Sequence, residues 1–411
     1  MAMEKEALLL HGGRIQADPA QPPLHASLLI GADGRIARVV HAGEPKPQVR
    51  TIDLAGKLVV PGLIDAHQHL DKSRTVNDVD NPAGTLDGAV AASSAYAKHM
   101  TRDTILPRAE RTLRACLAHG TVAIRSHANL DTVLGLRSVE ALIELRERWQ
   151  DRLRLQVVAF LSSSAPNDPH AAGWLDTSLA SGADVIGGTP ARASDPNAFL
   201  DLLFDAADRT GRPIDLHLDE HLDPGAIHFD AVIERTRALG LQGRVVASHC
   251  CALSALESGE AQRIIDGFAA AGIGVITLPA ANLFLQGRDH DRLTPRGLTR
   301  VNALAAAGVT VACGSDNIRD PFVPTGSGDL LEIARWTLLA GHLGTRELPR
   351  AFSMATVNPA RLLGIDADYG IRAGARADLL ITDAEDAADL VAGGALSRTV
   401  LFGGQVVAGA L

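Results

Sequence analysis

Between residues 7 and 58 the apolar positions fall in short strand-type runs: Ala7–Leu10, Ala26–Ile30, Gly34–Val40 and Thr51–Leu54. Gly12-Gly13, Asp33-Gly34 and Ala55-Gly56 punctuate them as turns, so this stretch predicts a small β unit. From about residue 59 the texture changes. Apolar β-type runs now alternate with segments of helical period, the pattern of a parallel sheet wrapped by helices. Eight strands are expected, near Leu58–Ile64, Val122–Ser126, Leu153–Phe160, Asp184–Gly187, Ile214–His217, Arg244–His249, Gly274–Leu278 and Thr310–Gly314. Eight strand–helix repeats are what closing a (β/α)8 TIM barrel requires.

The fourth of the intervening helices shows how such a segment is read. Asp195 serves as N-cap, Pro196 suits the first helical position, and Phe199, Leu202, Leu203 and Ala206 follow one face until Gly211. After a last helix near Ala360–Leu363, Gly370–Thr382 and Thr399–Ala408 are again β-rich, with Gly403-Gly404 as a turn. The expected α/β architecture is a TIM barrel over residues 59-363, with a small β-sandwich domain formed by the N- and C-terminal segments, 1-58 and 364-411. The length agrees: 411 residues exceed one ordinary core of roughly 100–200, whereas an α/β barrel alone takes about 250.

With 46% hydrophobic and 21% charged residues the chain can bury enough apolar surface to offset the entropy lost on folding. The net charge of −9 and the lack of a Lys/Arg-rich run argue against nucleic acid and anionic membrane, and for a small-molecule partner. The start, Met-Ala-Met-Glu-Lys-Glu, lacks the pattern of a signal peptide, and no apolar run approaches the ~20 residues that span a bilayer. A cytoplasmic protein is expected. Among the four cysteines, Cys250 and Cys251 are adjacent, and Cys116 and Cys313 lie in apolar surroundings, so neither a disulfide framework nor a zinc–thiolate site is suggested.

In such a barrel the chemistry sits where the strands end. Strand one ends in Asp65-Ala66-His67-Gln68-His69, and the period of two along a strand points both histidines to the same side. Strand five ends at His217, followed by Asp219-Glu220; strand six ends at Ser248-His249 and strand eight at Ser315-Asp316-Asn317. Three histidines and a carboxylate can hold one divalent ion, Zn²⁺ or Fe²⁺, and leave a position for water. A lone His-x-His is weak evidence, but ligand types at three further strand ends make a strong set.

The segment Pro61-Gly62-Leu63-Ile64-Asp65-Ala66-His67-Gln68-His69-Leu70-Asp71-Lys72 resembles the strand-one signature of the amidohydrolase superfamily, and within it the bacterial cytosine deaminases. The likeness continues through Gln156–Phe160, Gly182–Val185, His217–Glu220, Leu285–Arg288 and Gly297–Val301, to Tyr369-Gly370-Ile371. It implies His67, His69, His217 and Asp316 as metal ligands, Glu220 as the proton-shuttling acid, and His249 as the histidine beside the metal-bound water. No lysine closes strand three or four, where members with two metals often carry a bridging carbamylated lysine, so one metal is expected.

On this reading the cation acidifies its water, Asp316 and His249 orient that water and take its proton, and Glu220 protonates a ring nitrogen and then the departing amine. Cytosine deaminases supply a substrate-reading glutamine after Ala159-Phe160; here Leu161-Ser162-Ser163-Ser164 follows, leaving Ser162 as the candidate contact. Asn317 replaces a second aspartate and can donate as well as accept hydrogen bonds. Phe322 falls where an aromatic packs on the ring. The run Ser315–Asp320, with Pro324 and Gly326-Ser327-Gly328-Asp329, looks more like the triazine-ring amidohydrolases acting on N-isopropylammelide.

His127 and His221 are read as structural hydrogen-bonding residues, and Asp71 and Lys72 as local ion-pair or loop residues. The expected function is hydrolytic deamination of a small heterocyclic substrate, a cyclic amidine such as a cytosine-like pyrimidine or amino-triazine. Ring opening of a cyclic amide or imide is the alternative within the same scaffold, and a non-catalytic barrel scaffold the alternative outside it. Homo-oligomer formation is left open.

Overall fold

In the computed structural model, which describes residues 6–162 and 164–411, the strands assemble into two sheets. Residues 1–5, part of the N-terminal segment read above, and Ser163 lie outside the described residues. The first sheet takes β1 (Leu8–Ile15), β2 (Leu24–Ile30), β3 (Ile36–His41), β4 (Arg50–Asp53) and β5 (Leu58–Pro61) from the front of the chain. The second is an eight-stranded parallel barrel of β6 (Leu63–Gln68), β7 (Thr121–Leu130), β8 (Arg154–Leu161), β9 (Val185–Gly188), β10 (Ile214–Leu218), β11 (Val245–His249), β12 (Gly274–Thr277) and β13 (Val311–Cys313). The chain then returns to the first sheet as β14 (Leu379–Thr382), β15 (Arg398–Phe402) and β16 (Gln405–Ala408).

Antiparallel pairing of β14 with β5 joins the two ends of the chain, and Leu10, Leu28, Val59, Leu379 and Leu401 form part of a core separate from that of the barrel. This is the separate terminal sheet that the β-rich ends predict. The run Leu58–Ile64, read as one barrel strand, divides at Gly62: Leu58–Pro61 pairs with β14, and the barrel strand starts at Leu63. A Cβ at Gly62 would meet Val122 Cγ1 at 2.5 Å, so only glycine lets the chain pass this closely from one sheet to the other. An apolar run buried throughout carries no periodicity to mark such a change of sheet.

Helices follow the barrel strands, among them Arg102–Ala118, Arg137–Trp149, Ala171–Ala180, Phe229–Ala238, Ser258–Ala270 and Leu330–Ala340. The helix Pro196–Thr210 forms as its sequence dictates: the Asp195 side chain accepts from Ala198 N at 3.0 Å and Gly211 stops it at φ 70°. Its buried stripe is Phe199, Leu200, Leu203, Phe204, Ala206 and Ala207, with Leu202 only half-buried at its edge. Among the described residues no helix is long and apolar enough to cross a membrane, and all four cysteines are free and buried.

Where β6 meets β13 the barrel closes on the residues of interest themselves. Asp316 N donates to His67 O at 2.8 Å, and His69 N donates to Asp316 O at 2.9 Å. Asp65 reinforces this seam by accepting from Ser315 N at 3.0 Å and from Gln68 Nε2 at 3.1 Å. Burial pushes the Asp65 carboxyl up to about 6 even against the hydrogen bonds from Ser315.

Candidate active site

The C-terminal ends of β6, β10, β11 and β13 surround the floor of a cavity of about 810 Å³. Three residues at these ends, Asp219, His249 and Asp316, hold φ values of 50°, 66° and 59°. Non-glycine residues reach this left-handed region at a cost, and such strain collects where side chains must be aimed against backbone preference.

His67 Nε2 and His69 Nε2 lie 3.4 and 3.3 Å from Asp316 Oδ1, and His69 Nε2 is 3.1 Å from His217 Nε2. Every pair among His67, His69, His217 and Asp316 brings ligand-type atoms within 4.8 Å, and His249 falls within the same distance of His67, His217 and Asp316. All five residues are buried. His67 Nε2, His69 Nδ1, His217 Nδ1 and His249 Nε2 have no hydrogen-bond partner.

Electrostatics sharpen this cluster. Burial, then neighbouring positive charge, holds His69 and His217 well below the usual imidazole range, and burial brings His249 down to about 3. These rings are therefore neutral near pH 7, with lone pairs available. Burial opposes the charge on Asp316, but the imidazoles of His67 and His69 beside Oδ1, with His249 near, outweigh it and hold the carboxyl well below its ordinary value. Several lone pairs and one carboxylate converging in a buried place, with ring nitrogens left unpartnered, fit a divalent cation; the set can hold a metal.

Support for the cluster comes from inside the barrel. The Ser248 hydroxyl donates to Asp215 Oδ1 at 3.0 Å, so at 2.9 Å from His67 Nδ1 it acts as acceptor. The proton of His67 is thereby placed on Nδ1, and Nε2 keeps its lone pair facing the cluster. Asp215 in turn receives Arg125 Nη1 at 2.8 Å, while Arg125 Nε donates to Gln156 and Nη2 to Leu362 O. Arg125 and Asp215 are fully enclosed, and removing one member strands the other's charge. Asp215→Ala is therefore expected to lower the unfolding free energy by about 3–5 kcal/mol, read from the denaturant midpoint at constant slope. A loss under about 1 kcal/mol would show that the pair does not hold the barrel interior.

Glu220 and Asp316 share the cavity but their carboxyls shift in opposite directions. Burial, then the Asp316 charge, raises the Glu220 carboxyl well above its usual range. Glu220 Oε1 lies 3.3 Å from His249 Nδ1, which also meets Asn282 Nδ2 at 3.0 Å. Phe160 stacks on His217 with ring centroids 4.2 Å apart and holds that imidazole in place.

The cavity wall includes all three side chains expected to touch a substrate, Ser162, Asn317 and Phe322. Ser162 is buried with its hydroxyl unpartnered. Asn317 spends an N–H on Asp320 Oδ2 at 2.7 Å, while Asp320 Oδ1 accepts from Phe322 N and Val323 N at 2.9 and 3.1 Å. Burial pushes Asp320 up to about 7 against the Asn317 bond.

His127 stands behind the cluster, its ring centroid 3.9 Å from that of His67 and its Nε2 3.4 Å from Asp215 Oδ1, with the ring brought down to about 4 by burial and by His67. His221 lines the mouth, and its Nδ1 accepts from Asp223 N at 3.3 Å. Lys72 departs from its reading as a local ion-pair or loop residue. It is 5% exposed, lines the cavity and lies 4.7 Å above the Phe322 ring.

Asn129 also lines the cavity, and the sequence reading, which places the second strand near Val122–Ser126 with His127 at its end, does not reach it. β7 runs on to Leu130, so the period of two carries Arg125, His127 and Asn129 along one face. That alternation was the available signal. Asn282 carries no signal of its own in the sequence, since its partner His249 lies 33 positions away.

A parallel barrel whose strand ends gather buried imidazoles and a carboxylate close enough to share one ion is the arrangement of a hydrolytic enzyme that activates water. The chain belongs to the amidohydrolase family, whose profile matches residues 50–140 and 76–408. It is 34% identical to pterin deaminase of Rhizobium rhizogenes over 392 residues, 95% of this chain and 89% of that protein. It is 32% identical to N-isopropylammelide isopropyl amidohydrolase of Pseudomonas sp. strain ADP over 338 residues, 80% of this chain and 81% of the relative. The crystal structure of 5-methylcytosine deaminase from Klebsiella pneumoniae liganded with 5-fluorocytosine superposes with a TM-score of 0.91 at 29% identity, covering 98% of both chains.

Proposed function

We propose that this enzyme is a metal-dependent hydrolytic deaminase acting on a small amino-substituted nitrogen heterocycle, of the pyrimidine, triazine or pterin kind that its relatives' names describe. The observation that carries the reading is the buried cluster of His67, His69, His217 and Asp316 at the cavity floor, with Glu220 Oε1 3.3 Å from His249 Nδ1 beside it; within this cavity the Asp316 carboxyl is shifted down and the Glu220 carboxyl up. Carboxyl groups pushed apart in this way mark a base and an acid.

His67, His69, His217 and Asp316 would hold one divalent ion, zinc or iron, which when bound makes a water acidic enough to attack near neutral pH. Asp316 takes the proton of the attacking water as its oxygen bonds to the ring carbon that bears the amino group. Donation from Asn282 Nδ2 to His249 Nδ1 leaves the His249 proton on Nε2, so this ring orients the water by donating to it. Glu220 gives its proton to the adjacent ring nitrogen, takes up the remaining hydroxyl proton as the carbonyl forms and passes it to the amine as the C–N bond breaks; the proton held by Asp316 then returns to Glu220. Ammonia or a small amine leaves, and a ring carbonyl remains. Ser162, Asn317 and Phe322 frame the ring, and the single donor that Asn317 spends on Asp320 leaves its amide oxygen as an acceptor.

Incubation with pterin, cytosine, 5-methylcytosine and N-isopropylammelide, read by amine release and by mass, tests the reading. Loss of an amine with gain of a carbonyl oxygen is expected for at least one of them; addition of water without amine loss would instead show ring opening. Removing the metal with a chelator should abolish turnover, and adding back zinc or iron should restore it at about one ion per chain. Full activity in demonstrably metal-free protein would end the proposal.

A further inference from the structure

Lys72, Asn129 and Ser162 line the cavity from neighbouring strand ends, following β6, on β7 and following β8. Asn129 Oδ1 and Ser162 Oγ are buried without a hydrogen-bond partner, and the Lys72 ammonium has no carboxylate or hydrogen-bond partner among the described residues. The backbone is built to aim Lys72 there. Asp71 Oδ1 accepts from Lys72 N at 2.8 Å, Asp71 Oδ2 accepts from Asn129 N at 3.0 Å, and Arg108 Nη2 donates to Asp71 O at 3.0 Å. The acid next to Lys72 is thus spent on backbone groups and does not neutralise it. The Phe322 ring face holds the ammonium in position without giving it an acceptor.

A buried amide oxygen without a partner is costly, and an ammonium that faces an enclosed cavity with no fixed acceptor is open to one, so an occupant that supplies what they lack is favoured. Lys72 lacks an oxygen acceptor; Asn129 Oδ1 lacks an N–H donor. A lactam edge, a ring C=O beside a ring N–H, supplies both at adjacent atoms. Building on the deaminase reading, we infer that Lys72 and Asn129, with Ser162 beside them, read the lactam edge of the substrate ring and make the enzyme select amino-oxo heterocycles over the same rings without the oxygen.

The test uses the full chain loaded with zinc and two matched pairs of rings: pterin against 2-aminopteridine, and cytosine against 4-aminopyrimidine. Calorimetry should show the oxo-bearing member of at least one pair binding about 10- to 100-fold tighter, the discrimination of one charge-assisted hydrogen bond. Lys72→Met should shrink that preference to within about threefold by weakening the oxo ring alone, and Lys72→Arg should restore part of it. For any ring that turns over, KM should rise in Lys72→Met while kcat stays within about threefold, because the contact is made equally in ground and transition states.

Equal affinity for both members of each pair in the unaltered protein overturns the inference. So does a preference that survives Lys72→Met. A lactam preference without amine release would leave this inference standing and remove the deaminase reading.

Discussion

Asp316→Ala is expected to empty the site of metal and to lower amine release by at least about 10⁴-fold. One oxygen of Asp316 stands 3.4 Å from His67 Nε2 and 3.3 Å from His69 Nε2, so the substitution removes the only ionised ligand of the cluster. It also removes the proposed base. General base catalysis alone is worth about 10²–10⁴, and loss of the proposed cation, which would acidify the water, would add to it. The barrel should survive, because the seam between β6 and β13 at this point is made by the backbone of Asp316, which alanine keeps. The measurement pairs metal analysis with turnover and circular dichroism. A folded Asp316→Ala protein that binds one metal per chain and works within about tenfold of the parent would refute the assignment.

Glu220→Gln is expected to cost about 10²–10⁴ in kcat with metal content unchanged. Burial and then the Asp316 charge raise the Glu220 carboxyl well above the usual carboxyl range, which favours its acid form. The sign follows: the parent rate is supported while Glu220 is protonated and falls as pH rises through its raised pKa. Glutamine cannot release that proton, so the surviving rate of the variant should lack this alkaline fall. A ring whose leaving group is a halide, which departs without a proton, should lose much less on substitution than a ring that releases ammonia. Equal losses for both, or an unaltered alkaline limb in Glu220→Gln, would move the acid role to another group.

The positions of Glu220 and Asp316 in the chain were legible because each follows a strand-type run directly. His67 and His69 were legible through the period of two. The eight apolar runs were enough to expect the barrel, since apolar strands separated by amphipathic helices have few other ways to bury themselves. The sequence was less informative where strands run on past their apolar part. β7 runs on to Leu130, past the apolar run near Val122–Ser126 and His127 at its end, and so carries Asn129 to the cavity without an apolar signal. Lys72 looked like the partner of Asp71 because the two are adjacent, yet Asp71 turns to the N–H groups of Lys72 and Asn129.

Residue chemistry and short-range periodicity by themselves determined the strand and helix order, the N-cap at Asp195, and a ligand type at the end of four strands. These follow from rules that act over a few residues: steric limits on the backbone, alternation of side chains, and capping. Only the tertiary structure decided that Leu58–Ile64 is shared between two sheets, that Ser248 and Asp215 place the proton of His67, and that the Glu220 and Asp316 carboxyls shift in opposite directions. Those properties depend on distances between residues far apart in the chain and on the exclusion of water around them. Both arise only when the barrel closes and lowers the local dielectric, which is what shifts the two carboxyls in opposite directions.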